Sequence, residues 1–326
     1  MIDFVVTWVD GMDPAWIEQY NRYVTDDKRI DVANIRYRDN GLFKYWFRCV
    51  EKNAPWVNKI HLVTNGQIPN WLNINCEKLN IVKHSDYIPE EFLPVFNSHP
   101  IENFLYKIPD LSEKFVYFND DFFIVNPVIE EDFFTSDGII KDFACLYNLP
   151  ISRFGLILLN NEIALRKKYS ITDAIKLNKK LWFSNVDIKN SFITKLLYRW
   201  RNSACIRWSH FGQPYTKQLF NDCWGEFYED FERTMHSKFR CDTDINHYLV
   251  REYALLKGMF SASPVFQVNK YMDLTDPIEE ICKNIISKKY KQLVINDQNV
   301  SDSEDRYKKI RDAFELKFSR KSQFEI

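Results

Sequence analysis

Three short acidic clusters stand where strand-like runs stop: Asp10-Gly11-Met12-Asp13, Asn119-Asp120-Asp121 and Asn296-Asp297. In open α/β sheets, ligands bind outside the carboxyl ends of the strands, where loops from several strands converge. Carboxylates gathered there suit a hard cation, Mg2+ or Mn2+, that takes diphosphate oxygens as its remaining ligands. The competing reading of any single cluster is turn chemistry, because Asp and Asn side chains bond their own backbone. Three such clusters together weaken that alternative. Two further candidates lie downstream. His210, in Arg207-Trp208-Ser209-His210-Phe211, is a candidate general base or phosphate ligand, since an unperturbed imidazole titrates near neutrality. Arg240, in Lys238-Phe239-Arg240-Cys241-Asp242, carries a planar fork that suits phosphoryl oxygens. The common alternatives are a packed structural histidine and a surface ion pair.

The elements that must position these residues follow from periodicity. Ile2 to Val9 is a near-continuous β-rich run that reads as a buried first strand. Asn40 can cap a helix to about Asn53, with Leu42, Phe43, Trp46, Phe47 and Val50 at helical spacing and Ala54-Pro55 ending it. Strands are predicted at Lys59 to Val63, Ile81 to His84 and Phe115 to Phe118, with a short helix from about Ile101 to Ile108. This alternation predicts an α/β fold with a mostly parallel sheet covered on both faces. Residues 1–130 form that core, and 131–290 are helix-rich, with helices over Lys217 to Glu232 and Asp244 to Lys257. In 291–326 a strand from Gln292 to Ile295 is expected to rejoin the first sheet. A helix capped by Ser301-Asp302-Ser303-Glu304 follows it.

Composition narrows the function. The 326 residues fit one large or two ordinary domains, and 45% hydrophobic with 27% charged residues is globular rather than disordered. Lys plus Arg number 44 against 45 Asp plus Glu, so the net charge of −1 provides no general field for nucleic acid or anionic membrane. The basic stretch from Arg306 to Arg320 reads as a solvated helix face, with docking on anionic lipid as the minor alternative. No apolar run approaches the ~18–20 residues of a membrane helix. The best, around Gly155 to Leu159, reads as a buried segment. The start, Met1-Ile2-Asp3-Phe4, lacks a signal-peptide pattern. Seven scattered cysteines without CxxC argue against a disulfide framework or structural zinc, and a reducing cytoplasm fits best. Aromatic residues at 16% suit sugar binding and core packing equally.

Several long motifs resemble the Stealth family, which includes bacterial capsular polysaccharide phosphotransferases and the catalytic part of the animal N-acetylglucosamine-1-phosphotransferase. One block is Ile2-Asp3-Phe4-Val5-Val6-Thr7-Trp8-Val9-Asp10-Gly11-Met12-Asp13-Pro14. A second runs from Arg36-Tyr37-Arg38-Asp39 through Ala54-Pro55-Trp56-Val57, Val63-Thr64-Asn65-Gly66 and Phe96-Asn97-Ser98 to Asn119-Asp120-Asp121. A third joins His210-Phe211-Gly212-Gln213-Pro214-Tyr215 to Phe239-Arg240 and Asp244-Ile245-Asn246, and the fourth is Val294-Ile295-Asn296-Asp297.

The resemblance implies a Rossmann-like sheet of nucleotide-sugar transferase type. It also implies transfer of a sugar 1-phosphate from a UDP-sugar to a hydroxyl of a glycan or lipid-linked oligosaccharide, releasing UMP. It makes Asp121 and Asp297 the metal ligands, with Asp120 beside the donor diphosphate, and His210 and Arg240 the essential pair around the reacting phosphorus. Attack of an acceptor hydroxyl on that phosphorus needs a base, for which Asp120 and His210 are the two candidates. Asp10, Gly11, Asp13 and Asn119 would line the donor crevice, with Asn65, Asn97 and Glu102 as further pocket members. The compact chain fits a bacterial cytoplasmic enzyme of capsule or cell-surface polysaccharide synthesis, with peripheral contact at the inner membrane. The rivals are a metal-dependent glycosyltransferase that releases UDP and a non-catalytic glycan-binding protein.

Overall fold

The computed structural model describes residues 1–24, 37, 40–200 and 204–326; Arg36, Arg38 and Asp39 of the second motif lie outside the described residues. Strand β1 (Ile2–Thr7) is buried at every position but the last, as an apolar run covered on both faces requires. It is the centre of a five-stranded sheet with β2 (Ile60–Thr64), β3 (Leu79–Lys83), β4 (Lys114–Asn119) and β9 (Gln213–Thr216) in the order β3-β2-β1-β4-β9. All pairings are parallel except that of β9, which runs antiparallel to β4. The helices of this part are α1 (Pro14–Tyr23), α2 (Phe43–Asn53) and α3 (Ser98–Asn103). Asn40 does not cap α2: the cap position is Leu42, without a side-chain bond.

After β4 the chain turns through Asp120 and Asp121 into β5 (Phe122–Ile124) and leaves the first sheet. The region from 131 to 290 is mixed. It holds β6 (Ile140–Asp142) beside β10 (Phe260–Ala262), the ladder of β7 (Leu146–Tyr147) with β8 (Cys205–Ile206), and β11 (Asn269–Asp273). Its helices are α4 (Arg153–Arg166), α5 (Ile171–Leu177), α6 (Lys179–Trp182), α7 (Ile188–Leu197), α8 (Lys217–Glu226), α9 (Tyr228–Met235), α10 (Tyr248–Lys257), α11 (Val265–Val268) and α12 (Ile278–Ile286). The single helix expected over Lys217 to Glu232 is broken at Phe227, whose φ of −117° and ψ of 33° end α8. The apolar stretch Gly155 to Leu159 lies in α4, where Ile157 and Leu158 are buried but Leu156 and Leu159 are exposed.

The final strand, β12 (Gln292–Asn296), does not rejoin the first sheet. It pairs parallel with β11 and antiparallel with β5 in a separate three-stranded sheet. With β1 and β9 on its two sides, β4 has no place for β12, which pairs instead with β5 just past the turn. The last helix, α13 (Ser303–Lys317), packs on α12 and buries Tyr307, Ile310, Ala313 and Phe314, the last against the rings of Tyr45 and Phe123. Its N-cap residue Asp302 bonds Arg306 rather than the helix backbone. Among the described residues no helix is long and apolar enough to cross a membrane.

Candidate active site

The turn between β4 and β5 and the end of β12 meet because of strand register. Val294 lies opposite Phe122, and one step further the Ile295 N–H donates to the Asp121 carbonyl at 3.2 Å. Asp297, two residues beyond, thereby reaches the same cleft as Asn119, Asp120 and Asp121. His210 and Arg240 line this cleft too, which has a volume of about 1080 Å3. Six of the residues singled out from sequence thus share one wall system.

Electrostatics mark the acidic corner. The Asp121 carboxyl is pushed well above the usual carboxylate range, first by burial, then by the charge on Asp120, with Asp297 adding. Negative groups held this close in a low-dielectric pocket favour a cation. Among the described residues no three His, Cys, Asp or Glu side chains form a preformed cage. Two carboxylates completed by substrate phosphates are nonetheless a normal Mg2+ arrangement, so the residues present fit such an ion. Asn40, missed as a site residue, also lines the cleft and donates to Asp297 Oδ2 at 3.4 Å.

His210 is held between the Phe122 and Tyr271 rings, and its Nδ1 lies 3.0 Å from the Tyr248 hydroxyl. Burial brings its pKa down to about 4 against a smaller opposing pull from Asp273, so the imidazole is neutral at pH 7. Arg240 donates to Ser98 Oγ at 3.1 Å. Behind it sits Glu102, a buried carboxyl pushed up to about 7 by burial, with Arg240 and the Ser98 and Tyr117 hydroxyls opposing the rise. The Tyr117 hydroxyl also donates to Asn119 Oδ1 at 2.8 Å, so one polar chain links Glu102 to the β4 end.

The remaining sequence candidates do not line the cleft. Asn97 Nδ2 donates to the Ser237 carbonyl at 3.1 Å and to Asp244 Oδ2 at 2.8 Å, which fixes the loop carrying Arg240 to the start of α3. Glu102 stands one layer behind, as described. Asp10, Gly11, Asp13 and Asn65 end β1 and β2 on the same sheet edge as Asn119. There Gln67 Nε2 bridges the Asp10 carbonyl and Asp13 Oδ2, and Asp13 caps α1 by accepting from Ala15 and Trp16. Gly11 is required by close approach, because a Cβ would fall 2.3 Å from that of Tyr37.

Sequence reasoning missed the far wall. Asp273, ending β11, accepts from Tyr271, Asn296 and Gln298 at 3.0, 2.8 and 3.0 Å, and is a fourth acidic strand end. The signal was the alternation of Asn269-Lys270-Tyr271-Met272-Asp273 before a turn. Arg207 brings a second guanidinium, laid over the Phe266 ring at 3.9 Å and bonded to Asn190 Oδ1 at 2.8 Å. Trp208 and Phe154 add aromatic surface beside it.

A mostly parallel central sheet in a mixed α/β chain, with a carboxylate-lined cleft beyond its strand ends, is the Rossmann-like architecture of the transferase type. The model of Stealth protein conserved region 1 matches residues 2–27, and that of conserved region 2 matches residues 36–142. A capsular polysaccharide phosphotransferase of Streptococcus pneumoniae, WcwK, is 39% identical over 329 residues, covering 99% of this chain and 98% of the relative. The exopolysaccharide phosphotransferase cps2G of Lactiplantibacillus plantarum is 35% identical, covering 99% and 96%. The receptor polysaccharide phosphotransferase WefC of Streptococcus oralis is 37% identical, covering 100% and 99%. The chain belongs to the Stealth family.

Proposed function

We propose that this chain is a phosphotransferase of capsular or cell-surface polysaccharide synthesis. It moves hexose-1-phosphate or N-acetylhexosamine-1-phosphate from a UDP-sugar to a hydroxyl of a glycan or lipid-linked oligosaccharide. The observation that carries this reading is the convergence of Asp120, Asp121, Asp297, His210 and Arg240 on one cleft, in a chain alike over its whole length to named polysaccharide phosphotransferases.

Phosphoryl transfer asks mainly for positioning and for stabilisation of charge on the transferred and leaving oxygens. The acceptor oxygen attacks the β-phosphorus in line, and the bond from that phosphorus to the bridging oxygen breaks. UMP departs with that oxygen, and a phosphodiester joins sugar and acceptor. Arg240, braced by Ser98, holds the transferred phosphoryl oxygens. The acceptor's proton goes to Asp120 or to the unprotonated nitrogen of neutral His210. Asp121 and Asp297 would hold Mg2+ or Mn2+, which supplies positive charge to the diphosphate. Arg207 and the aromatic far wall suit the acceptor glycan.

Incubation with Mg2+, a panel of UDP-sugars and a capsule-type acceptor tests the reading through the nucleotide released. UMP is expected, and it should vanish in the Asp121→Ala variant. UDP would assign ordinary glycosyl transfer instead.

A further inference from the structure

Charge is not spread evenly along this chain. Residues 150–200 carry ten Lys and Arg against three Asp and Glu, a local charge of +7 that leaves the rest of the chain at −8. Two of the three acids, Glu162 and Asp187, are buried, whereas every one of the ten basic residues is exposed. The same segment holds nine of the exposed large hydrophobic residues. They are patterned. Ile188, Phe192 and Leu196 recur at i, i+4 and i+8 along α7, with exposures of 72%, 69% and 47%. Leu156, Leu159 and Ile163 recur at i, i+3 and i+7 along α4. Exposed apolar side chains set among cations, with Asp173 the one exposed acid of the segment, offer an anionic bilayer both apolar burial and charge attraction.

The segment is joined to the cleft. Pro150, Ser152 and Phe154 at the start of α4 line it, as do Tyr147 of β7 and Arg207 just after β8. Helix α7 packs on β7, where Thr194 Oγ1 accepts from the Leu146 N–H at 3.1 Å, and its Asn190 accepts from Arg207. The basic C-terminal helix is a poor rival. Arg306 donates to the Leu274 and Asp276 carbonyls and Lys317 to those of Ile285 and Ser287, so these cations of α13 are engaged in packing. By contrast, Lys179, Lys180 and Lys189 make no ion pair among the described residues.

We infer that α4 and α7, with the lysines of α6, form a docking surface for an anionic phospholipid bilayer that sets the cleft mouth at the membrane. Binding itself rests on these observations alone. Its purpose, meeting a lipid-linked acceptor at the surface, rests on the proposed function.

Cosedimentation of the full chain with phosphatidylcholine vesicles, with or without one third phosphatidylglycerol, tests the surface without reading catalysis. Binding is expected only to the anionic vesicles and should weaken with added salt. Replacing Ile188, Phe192 and Leu196 by Ser, or Lys179, Lys180 and Lys189 by Gln, should each weaken it about tenfold or more. These side chains are exposed, so the variants should keep the parent thermal midpoint, and release of UMP with a soluble acceptor should be unchanged. Equal binding by wild type and both variants would overturn the assignment, as would no binding to either vesicle. So would sedimentation as a dimer that the Phe192→Ser change dissolves, because the stripe would then belong to a second copy. A chain that bound vesicles yet released no UMP would instead contradict the proposed reaction.

Discussion

Arg240 and His210 sit in the same cleft but under different constraints. Arg240 has a hydroxyl partner in Ser98 and a buried carboxyl, Glu102, behind it, so its guanidinium is aimed before any phosphate arrives. Preorganised charge of this kind is worth about 10²–10³ in rate when one donor is removed. Arg240→Ala should therefore lower kcat by about 10²–10³-fold with an unchanged circular dichroism spectrum, and near-normal turnover would remove Arg240 from the site. His210 is a weaker base than an exposed imidazole, because burial holds it near 4. Its ring is neutral above that value and gains its charge only as pH falls below it. An NMR titration of the donor-free protein should accordingly place its midpoint near 4, and a midpoint near 6.5 would contradict the burial argument. By residue type alone a packed histidine and a surface arginine remained open, and it was the family resemblance that singled out His210 and Arg240. Asp273 was not legible, because it ends a strand within a region where helical periodicity dominates the sequence. Glu102 could be named from sequence, but its place one layer behind Arg240 depends on how α3 meets the 237–244 loop, a contact with no local signal.

Elements position the site through a few buried polar joints. Arg251 of α10 grips Asp142 of β6 through Nε and Nη2 at 2.6 and 2.9 Å, and its Nη1 donates to the Arg207 carbonyl at 2.7 Å. The joint holds the far wall of the cleft to the helical region. Removing one partner of a buried pair leaves an uncompensated charge, at a cost of about 3–5 kcal/mol. Arg251→Met should thus lose about 3–5 kcal/mol in urea unfolding, and adding Asp142→Leu should restore most of it. A loss no larger in the single variant than in the double would contradict the pairing. The early strands were readable because β1, β2 and β4 are continuous apolar runs bounded by turn residues. The pairing of β12 was not readable, because which edge a strand joins depends on what already occupies the others. The two- and three-residue strands β5 to β8 are too short for periodicity to register.

Across the whole molecule, a net charge of −1 conceals a divided surface. A cationic, apolar-studded segment borders a cleft whose inner corner is acidic. Composition averaged over 326 residues hides that division, which is why the only stretch that the residues themselves suggested for membrane contact was the basic C-terminal helix. The fold brings distant parts of the chain together: the acidic corner needs residues near 120 and near 297, and the cations come from 207, 240 and 270. In the proposed reaction the atom attacked in this cleft is phosphorus and not the anomeric carbon. Supplying a UDP-sugar labelled with 32P in the β-phosphate, together with acceptor and Mg2+, tests it directly. The label should move to the acceptor, in a bond that phosphatase cannot remove, while unlabelled UMP accumulates. Label retained in released UDP, with sugar on the acceptor, would contradict that reaction.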